Sequence, residues 1–269
     1  MKTILLQKQF FIYLAAMKQT DSSRRSFIGK VALGGLATLS IPEIVSASMA
    51  SQKPKKVLFK ENDIILFQGD SITDSGRNRK DDKANISNGL GNGYAYLATA
   101  NLLLEHPKKS LQIYNRGISG NKVFQLADTW EADALNLKPN VLSILVGIND
   151  YWHTLSHGYK GTVKTYKTDY HTLLSRTKDR LPDIKIIIGE PFAIIGTAVT
   201  QDWFPVLKEY QNSAKELAAE FNAVFIPYQE VFNKAVTKAP GAYWSGDGVH
   251  PTIAGSALMA EAWLQTVQG

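Results

Sequence analysis

Residues 66–76, with the sequence LFQGDSITDSG, contain an apolar run that ends abruptly in small and polar residues. The run is typical of a buried strand, whereas Gly69, Asp70 and Ser71 break a strand and favour a turn. A serine at the carboxyl end of a strand, just before a loop or helix, is well placed for chemistry and poorly placed for packing. The stretch therefore predicts a strand that delivers the hydroxyl group of Ser71 to one edge of a sheet.

The rest of the chain repeats this alternation of short apolar runs and longer amphipathic segments. The apolar runs predict five strands, at residues 64–68, 111–115, 141–146, 184–189 and 223–226. The amphipathic segments predict six helices, at residues 93–105, 123–135, 161–180, 203–221, 229–238 and 252–266. Continuously apolar, β-branched strands separated by helices indicate a parallel sheet that is buried on both faces. We therefore expect an α/β fold, a three-layer sandwich around a five-stranded parallel sheet.

Length and charge limit the classes of function. The chain has 269 residues, 44% of them hydrophobic, and shows no internal repeat, so one substantial core is expected. The formal net charge is +6, but nine of the 30 Lys and Arg and only two of the 24 Asp and Glu precede residue 57. A protein that binds nucleic acid by neutralising phosphates needs a basic face on its folded part. The near-neutral remainder therefore argues against a nucleic-acid partner.

The first fifty residues are typical of an export signal. Residues 23–28, SRRSFI, resemble the twin-arginine motif, and a mildly apolar run and several small residues follow up to residue 50. An anchored amino-terminal helix is the alternative, but the apolar run at 31–41 is short and rich in glycine for a bilayer span. The order of these features therefore favours export over anchoring.

These features divide the chain into three parts. We predict an export signal of the twin-arginine type at residues 1–50, a basic linker at 51–56 and one catalytic domain at 57–269. The signal implies delivery to the periplasm or the outside of a bacterial cell, with no stable membrane anchor after processing. The short polar and basic head after Met17 favours Met17 as the translation start, with Met1 as the alternative.

Four short stretches hold polar residues after predicted strands or before the last helix. In open parallel sheets, ligands bind outside the carboxyl ends of the strands, so chemistry is expected in these loops. The stretches are Gly69-Asp70-Ser71, GISGN at 117–121, GIND at 147–150 and DGVHP at 247–251. Each alone is a common turn sequence, but their joint occurrence in this order at strand ends favours a functional role.

The spacing within these stretches suits hydrolysis by a serine. Such a mechanism needs a base that takes the hydroxyl proton and a group that orients the base. Asp247 and His250 are three residues apart, so in one turn-like segment the carboxylate can accept from one ring nitrogen. The other ring nitrogen would then face Ser71. Fixed N–H donors would also be needed for the negative oxygen of the tetrahedral intermediate.

The four stretches resemble the sequence blocks of the SGNH hydrolases, also called the GDSL esterase family. The resemblance covers residues 57–267, and the phrases GDSITDSGR, NRGISGN, VGINDYW and DGVHPT are most similar to bacterial acetylxylan esterases of the SGNH type. It implies a flavodoxin-like fold and a catalytic triad of Ser71, His250 and Asp247. It also implies an oxyanion hole formed by the backbone N–H groups of Ser71 and Gly120 and the side-chain amide of Asn149.

The resemblance further implies an enzyme, a carboxylic ester hydrolase. The expected reaction is removal of short acyl groups, above all acetyl, from an acylated carbohydrate such as xylan or a related plant polysaccharide. One alternative is a lipase, lysophospholipase or thioesterase that acts on longer acyl chains. A second is a glycan-binding module that has the fold without the activity. The polymer, the acetyl position and the oligomeric state stay open, and a homo-oligomer remains an alternative to a monomer.

Three aromatic residues are candidates for the substrate pocket. They lie in the loops after the third and fourth predicted strands and before the Asp247–His250 stretch, and are Trp152, Phe192 and Trp244. Such rings can wall an acyl pocket or stack on a sugar, although buried aromatic residues more often belong to the core. A pocket walled by these rings would favour two-carbon acyl groups.

A metal site is the competing interpretation of one part of the sequence. Asp150, His153 and His157 carry metal-ligating groups, and the two histidines lie four residues apart. No companion ligand motif accompanies them, and a serine mechanism needs no metal. We therefore expect neither a metal nor a cofactor.

Overall fold

A computed structural model describes residues 40–50 and 56–267 of the chain. Five parallel strands form one sheet in this part, in the order β2-β1-β3-β4-β5. The strands are β1 (Ile64–Gly69), β2 (Gln112–Asn115), β3 (Val141–Leu145), β4 (Lys185–Gly189) and β5 (Val224–Ile226). The predicted five-stranded parallel sheet is confirmed, and each predicted strand end lies within one residue of the observed one.

Helices in two groups enclose this sheet. In chain order they are α1 (Ile41–Met49), α2 (Ser71–Asp74), α3 (Ser87–Leu90), α4 (Tyr94–Glu105), α5 (Val123–Asp133), α6 (Ile148–Ser156), α7 (Val163–Arg180), α8 (Trp203–Glu220), α9 (Tyr228–Ala235), α10 (Gly241–Trp244) and α11 (Ile253–Val267). A 3₁₀ turn follows α5, at Leu135–Leu137. Helices α1, α4 and α9 pack against α11, whereas α5 and α8 pack against α7. The six predicted helices are all present, so the three-layer α/β sandwich is confirmed.

The strands are apolar at consecutive positions, as expected for a sheet that is covered by helices on both faces. Ile65, Leu66 and Phe67 of β1 are fully buried, although successive side chains point to opposite faces of the sheet. On one face, the ring of Phe67 lies 4.9 Å from that of Trp263 on α11. The indole N–H of Trp263 donates to Ser143 Oγ on β3 at 2.9 Å, so the ring's one polar group is satisfied inside the core.

The strand order reverses at β1, which fixes the position of a ligand site. Chain order runs from β1 outward to β2 and then back across β1 to β3. The carboxyl ends of β1 and β3 therefore border a crevice, the topological switch point at which open α/β sheets bind ligands. Ser71 follows β1 and Asn149 follows β3, so both reach this crevice.

Helix α1 lies within the residues predicted as an export signal. Its residues Ile44 and Val45 are buried, and it packs against α9 and α11. Ser46 Oγ donates to Gln265 Oε1 at 3.3 Å. Part of the segment predicted as an export signal, upstream of the boundary predicted at residue 57, is thus packed in the described structure, because a short amphipathic helix finds a partner surface that only the folded chain provides.

The other predictions for this end of the chain concern different residues. The twin-arginine stretch within residues 1–39, and residues 51–55 of the predicted linker, lie outside the described residues. Of the described helices, none combines the length and the apolar character needed to cross a lipid bilayer.

Candidate active site

The serine turn, residues 69–74, comprises the last residue of β1, Asp70 and helix α2. Gly69 has φ of +153°, and a Cβ atom there would lie 2.2 Å from the carbonyl oxygen of Leu145 on β3. Only glycine allows the two strand ends to approach this closely. Asp70 then caps α2, because its Oδ1 accepts from the backbone N–H of Ile72 at 3.0 Å. The turn places Ser71 at the first position of α2, partly exposed at the carboxyl edge of the sheet.

Ser71, His250 and Asp247 form one hydrogen-bonded chain. Ser71 Oγ lies 2.8 Å from His250 Nε2, and His250 Nδ1 lies 2.6 Å from Asp247 Oδ2. A carboxylate only accepts, so Nδ1 carries the ring proton and Nε2 is free to accept from the serine hydroxyl. The three residues that the sequence singled out are therefore brought together in the order that proton transfer requires.

Asp247 is kept ionised by the segment that carries it. Its Oδ1 accepts from the backbone N–H groups of Val249 at 2.9 Å and His250 at 2.7 Å. Partial burial raises the pKa of Asp247, but the hydrogen bonds from the side chain and backbone of His250 and from Val249 outweigh it, so the pKa lies below its usual value. The loop after β4 fixes the segment, since Ala198 N donates to the carbonyl oxygen of Asp247 at 3.0 Å.

The GISGN loop, residues 117–121, is tied to the serine turn by Asp74. Asp74 Oδ2 accepts from the backbone N–H of Ser119 at 2.9 Å and from its hydroxyl group at 2.8 Å. Arg79 contacts the same oxygen at 3.1 Å. The next residue, Gly120, has φ of +84°, a conformation that favours glycine. Asp74 thus couples the position of Gly120 to the helix that carries Ser71.

Helix α6 supplies the third wall of the site. Asn149 lies in its first turn and donates through Nδ2 to the carbonyl oxygen of Asn121 at 3.3 Å. One turn later, the ring of Trp152 lies 6.0 Å from that of His250 and 5.8 Å from that of Trp203. The sequence did not predict α6, because its nine residues begin inside a strand-end stretch and continue with mixed polarity.

Of the three predicted pocket residues, only Trp152 lies at the site. Phe192 is 0% exposed and stacks on Phe232 with ring centroids 4.3 Å apart. Trp244 is 4% exposed, and its indole N–H donates to the carbonyl oxygen of Ala239 at 3.2 Å. In this structure Phe192 and Trp244 are thus packed in the core, and their predicted place in the pocket stays a prediction. Their loops turn these rings into the core, which an aromatic residue near a motif does not reveal by itself.

Two carboxyl groups are buried beneath the site, and no sequence pattern indicated their state. Asp70 Oδ2 and Asp150 Oδ2 have no hydrogen-bond partner among the described residues. Burial raises the pKa of Asp70 to about 7, against a smaller lowering by the Ile72 amide and by His250. Burial likewise raises the pKa of Asp150 to about 7, and the nearby Asp70 adds to the effect.

The candidate metal residues do not form a metal site. His153 Nδ1 accepts from Lys122 Nζ at 3.1 Å, and an ammonium group on a ring nitrogen takes the place of a metal ion. Asp150 Oδ1 is also occupied, since it accepts from the backbone N–H of Val123 at 3.3 Å. Within residues 40–50 and 56–267, no group of three or more His, Cys, Asp or Glu residues could hold a metal ion.

Known proteins resemble this chain over the region that carries the site. The model of the GDSL-like lipase/acylhydrolase family matches residues 67–258, a stretch that contains the serine, the GISGN loop and the Asp247–His250 segment. The chain belongs to this family. Membership of the GDSL-like family, also called the SGNH hydrolases, makes it a carboxylic ester hydrolase.

Relatives in the GDSL-like family have similar sequences and structures. An acetylxylan esterase from Geobacillus stearothermophilus is 34% identical over 206 residues, which cover 76% of this chain and 93% of that protein. A solved structure of that organism's acetylxylan esterase superposes with a TM-score of 0.71 at 30% identity, covering 78% of this chain and 96% of the other. A GDSL-like lipase from Parabacteroides merdae gives a TM-score of 0.77 at 49% identity, covering 78% and 98%. Catalytic mutants of the Geobacillus enzyme have also been solved, in which a serine, a histidine or an aspartate is replaced by alanine.

Proposed function

We propose that this GDSL-like hydrolase is a serine esterase that removes acetyl groups from carbohydrate by a Ser-His-Asp mechanism. The observation that carries the proposal is the hydrogen-bonded chain from Ser71 through His250 to Asp247 at the switch point of the sheet. The relatives support it, because an acetylxylan esterase and its serine, histidine and aspartate mutants are similar to this chain over most of its length.

The geometry suits a two-step acyl transfer. His250 Nε2 takes the hydroxyl proton as Ser71 Oγ attacks the ester carbonyl, and Asp247 stabilises the imidazolium that forms. His250 then gives the proton to the departing sugar oxygen, which leaves an acetyl group on Ser71. In the second step His250 takes a proton from water, the hydroxide attacks the acetyl carbonyl, and acetic acid is released as the proton returns to Ser71.

Three N–H donors would stabilise the negative oxygen in both steps. They are the backbone N–H groups of Ser71 and Gly120 and the side-chain amide of Asn149, which come from the three loops that follow β1, β2 and β3. Each is held by neighbouring structure before substrate binds: Ser71 by the capped turn, Gly120 by the tie to Asp74 and Asn149 by α6. Donors fixed in advance are worth more to the transition state than donors that must reorient.

The acyl group is expected to be short, since the bulky ring of Trp152 stands beside His250. Each methylene that fails to be buried costs about 0.8 kcal/mol, and a methylene that clashes costs more. Hydrolysis of 4-nitrophenyl acetate, butyrate and octanoate measures this preference directly. We expect kcat/KM to fall in that order. A rise from acetate to octanoate would overturn the deacetylase assignment and favour a lipase.

The carbohydrate part of the proposal needs its own measurement. Acetylated xylan and a panel of other acetylated polysaccharides would be assayed for released acetate. We expect release from at least one of them, and none from the Ser71→Ala variant. Labelling of the wild-type chain, but not of that variant, by a fluorophosphonate would separate an esterase from a glycan-binding module.

We also propose that the chain is exported, on the strength of residues 23–28, SRRSFI. Because α1 packs against α9 and α11, cleavage upstream of Ile41 would keep the packed unit whole. The mass of the protein recovered from the periplasm or medium of a bacterial host locates the new amino terminus. Retention of the full-length chain in the cytoplasm would argue against export.

A further inference from the structure

A buried lysine beside the GISGN loop pairs with a histidine. Lys122 is 8% exposed, and its Nζ lies 3.1 Å from His153 Nδ1. The ammonium group also lies 5.6 Å and 5.2 Å from the ring centroids of Phe124 and Tyr159. Among the described residues no carboxylate forms an ion pair with Lys122. The ammonium group therefore donates to the imidazole, while the carboxylate of Asp150 lies near enough to act on its charge.

The contact with Lys122 fixes the protonation of His153. An ammonium group only donates, so Nδ1 is the acceptor and the single ring proton lies on Nε2. Burial, the Lys122 charge and the neighbouring His157 lower the pKa of His153 to about 4, which keeps the ring neutral near pH 7. Nε2 has no hydrogen-bond partner in the part of the chain that the structure describes. His153 therefore holds an uncharged N–H donor in a fixed orientation.

His153 lies close to the GISGN loop, where the reacting ester is expected to bind. Its Cε1, which lies between the two ring nitrogens, is 3.9 Å from the place that a Cβ on Gly120 would occupy. The preceding residue on α6, Trp152, lies against His250. Two consecutive side chains of one helix thus flank the site, Trp152 beside the base and His153 beside the GISGN loop.

An aromatic platform adjoins Lys122, the residue that orients this donor. The rings of Phe124 and Tyr159 stack with centroids 5.7 Å apart and planes inclined by 22°. Phe124 is 38% exposed, so part of this apolar surface faces solvent. Sugar rings combine an apolar face with hydroxyl groups at the edge, and a site with one aromatic surface and a few fixed polar groups matches both features.

We propose that His153, oriented by Lys122, donates its Nε2–H to a hydroxyl group of the sugar ring that bears the ester. The exposed part of the Phe124–Tyr159 platform receives the apolar face of an adjoining sugar ring. A neutral donor suits a hydroxyl group, whereas a cationic one would favour an acidic ligand. The proposal rests on the carbohydrate esterase function and names its substrate class: an acetylated pyranose, within an oligosaccharide, with a free hydroxyl group near the ester.

Two acetate esters, one with a sugar and one without, test this subsite. We compare kcat/KM on an acetylated xylo-oligosaccharide with kcat/KM on 4-nitrophenyl acetate, and follow the ratio of the two. His153→Ala is expected to lower the ratio about 10- to 100-fold, mainly through KM for the sugar ester, because a hydroxyl group loses its partner. His153→Gln keeps an N–H donor and should recover most of the ratio. Lys122→Met should give an intermediate value, because the imidazole proton is no longer fixed on Nε2.

Surface variants complete the experiment. Phe124→Ala removes an exposed ring without opening the core and should lower the ratio by about 3- to 10-fold. His171→Ala is the matched control, since His171 is an exposed histidine of α7 that pairs with Glu220 away from the site. It should leave the ratio unchanged.

Three results would overturn the inference. An unchanged ratio in both His153→Ala and Phe124→Ala would show that no sugar binds there. An equal loss on both substrates would assign His153 to the reaction centre or to folding. If the wild-type protein cleaved 4-nitrophenyl acetate but released no acetate from any acetylated sugar, the proposed carbohydrate function itself would fail, and the subsite with it.

Discussion

Two aspartates on either side of the Ser71–His250 contact are held in opposite states. Asp247 is partly exposed, accepts hydrogen bonds with both oxygens, and has a pKa below its usual value. Asp70 is fully buried, has one oxygen without a hydrogen-bond partner among the described residues, and has a pKa raised to about 7. Burial opposes ionisation in both, so the supply of hydrogen bonds decides the outcome.

The difference explains how one edge of the sheet can hold several carboxyl groups near His250 without all of them being charged. A negative charge is kept at Asp247, where, in the proposed mechanism, it would orient His250 and stabilise its protonated form. Asp70 and Asp150 are largely neutral below pH 7 and so compete little for that proton. Four substitutions test the contrast between the two aspartates and the role of the proposed oxyanion donors.

The largest effect is expected at the ionised aspartate. Asp247→Asn keeps the shape of the side chain but removes the charge and favours the wrong imidazole tautomer. By analogy with other serine triads, kcat should fall about 10³- to 10⁴-fold. Steady-state hydrolysis of 4-nitrophenyl acetate, with circular dichroism to check the fold, measures it. A loss of less than tenfold would show that Asp247 is a turn residue and not part of the mechanism.

Asn149→Ala should have the next largest effect. Removing one donor to a negative oxygen typically lowers kcat about 10²- to 10³-fold, or roughly 3–4 kcal/mol. KM should change much less, because the donor acts mainly in the transition state. Since Asn149 Nδ2 also contacts Asn121, the melting temperature of the variant must be compared with that of the wild type. A rise in KM at constant kcat would instead place the amide in substrate binding.

The parts of the site that the sequence predicted are those fixed by short-range spacing. Ser71 had to follow β1 because an apolar strand ends in Gly69 and Asp70, and the observed turn has this form. Asp247 and His250 were expected to lie side by side because they are three positions apart in a turn-like segment. The five strands were predictable for the same reason, since a buried parallel strand is a continuous apolar run.

Features that depend on contacts between distant segments could not be predicted in this way. Phe192 faces Phe232 instead of the pocket, because the loop after β4 folds back onto α9. The pairing of Lys122 with His153 joins the start of α5 to α6, and nothing in either segment indicates the other. Asp70 is likewise buried because β1 and β3 meet beside it, and no local sequence pattern indicates this contact.

A third substitution tests the tie between the serine turn and the GISGN loop. Asp74→Asn keeps an oxygen acceptor but removes the charge that strengthens the two hydrogen bonds from Ser119 and the contact with Arg79, so the backbone N–H of Gly120 should be held less firmly. We expect kcat to fall about tenfold with little change in KM, since the donor is loosened and not removed. Asp81→Asn is the control, because Asp81 contacts Asn78 outside this loop. Equal effects of the two substitutions would remove Asp74 from the catalytic geometry.

The smallest effect is expected at the neutral aspartate, and it concerns stability. A carboxyl group whose pKa is about 3.8 in the unfolded chain and about 7 in the fold binds its proton more tightly in the folded state. The buried carboxyl group therefore leaves the free energy of unfolding unchanged below about pH 4. As the pH rises towards 7, it lowers the free energy of unfolding progressively. Asp70→Asn removes this cost but introduces an amide N–H₂ whose lack of an acceptor costs about 1–3 kcal/mol.

The variant Asp70→Asn should therefore be less stable than the wild type at pH 4 and about 1–3 kcal/mol more stable at pH 8. Urea denaturation of both proteins at several pH values between 4 and 8 measures the difference. Asp150 and Glu190 also have pKa values raised to about 7 by burial, but they are present in both proteins and cancel in the comparison. A difference that stays constant from pH 4 to 8 would mean that Asp70 is ionised throughout, like Asp247, and that the contrast between the two aspartates does not exist.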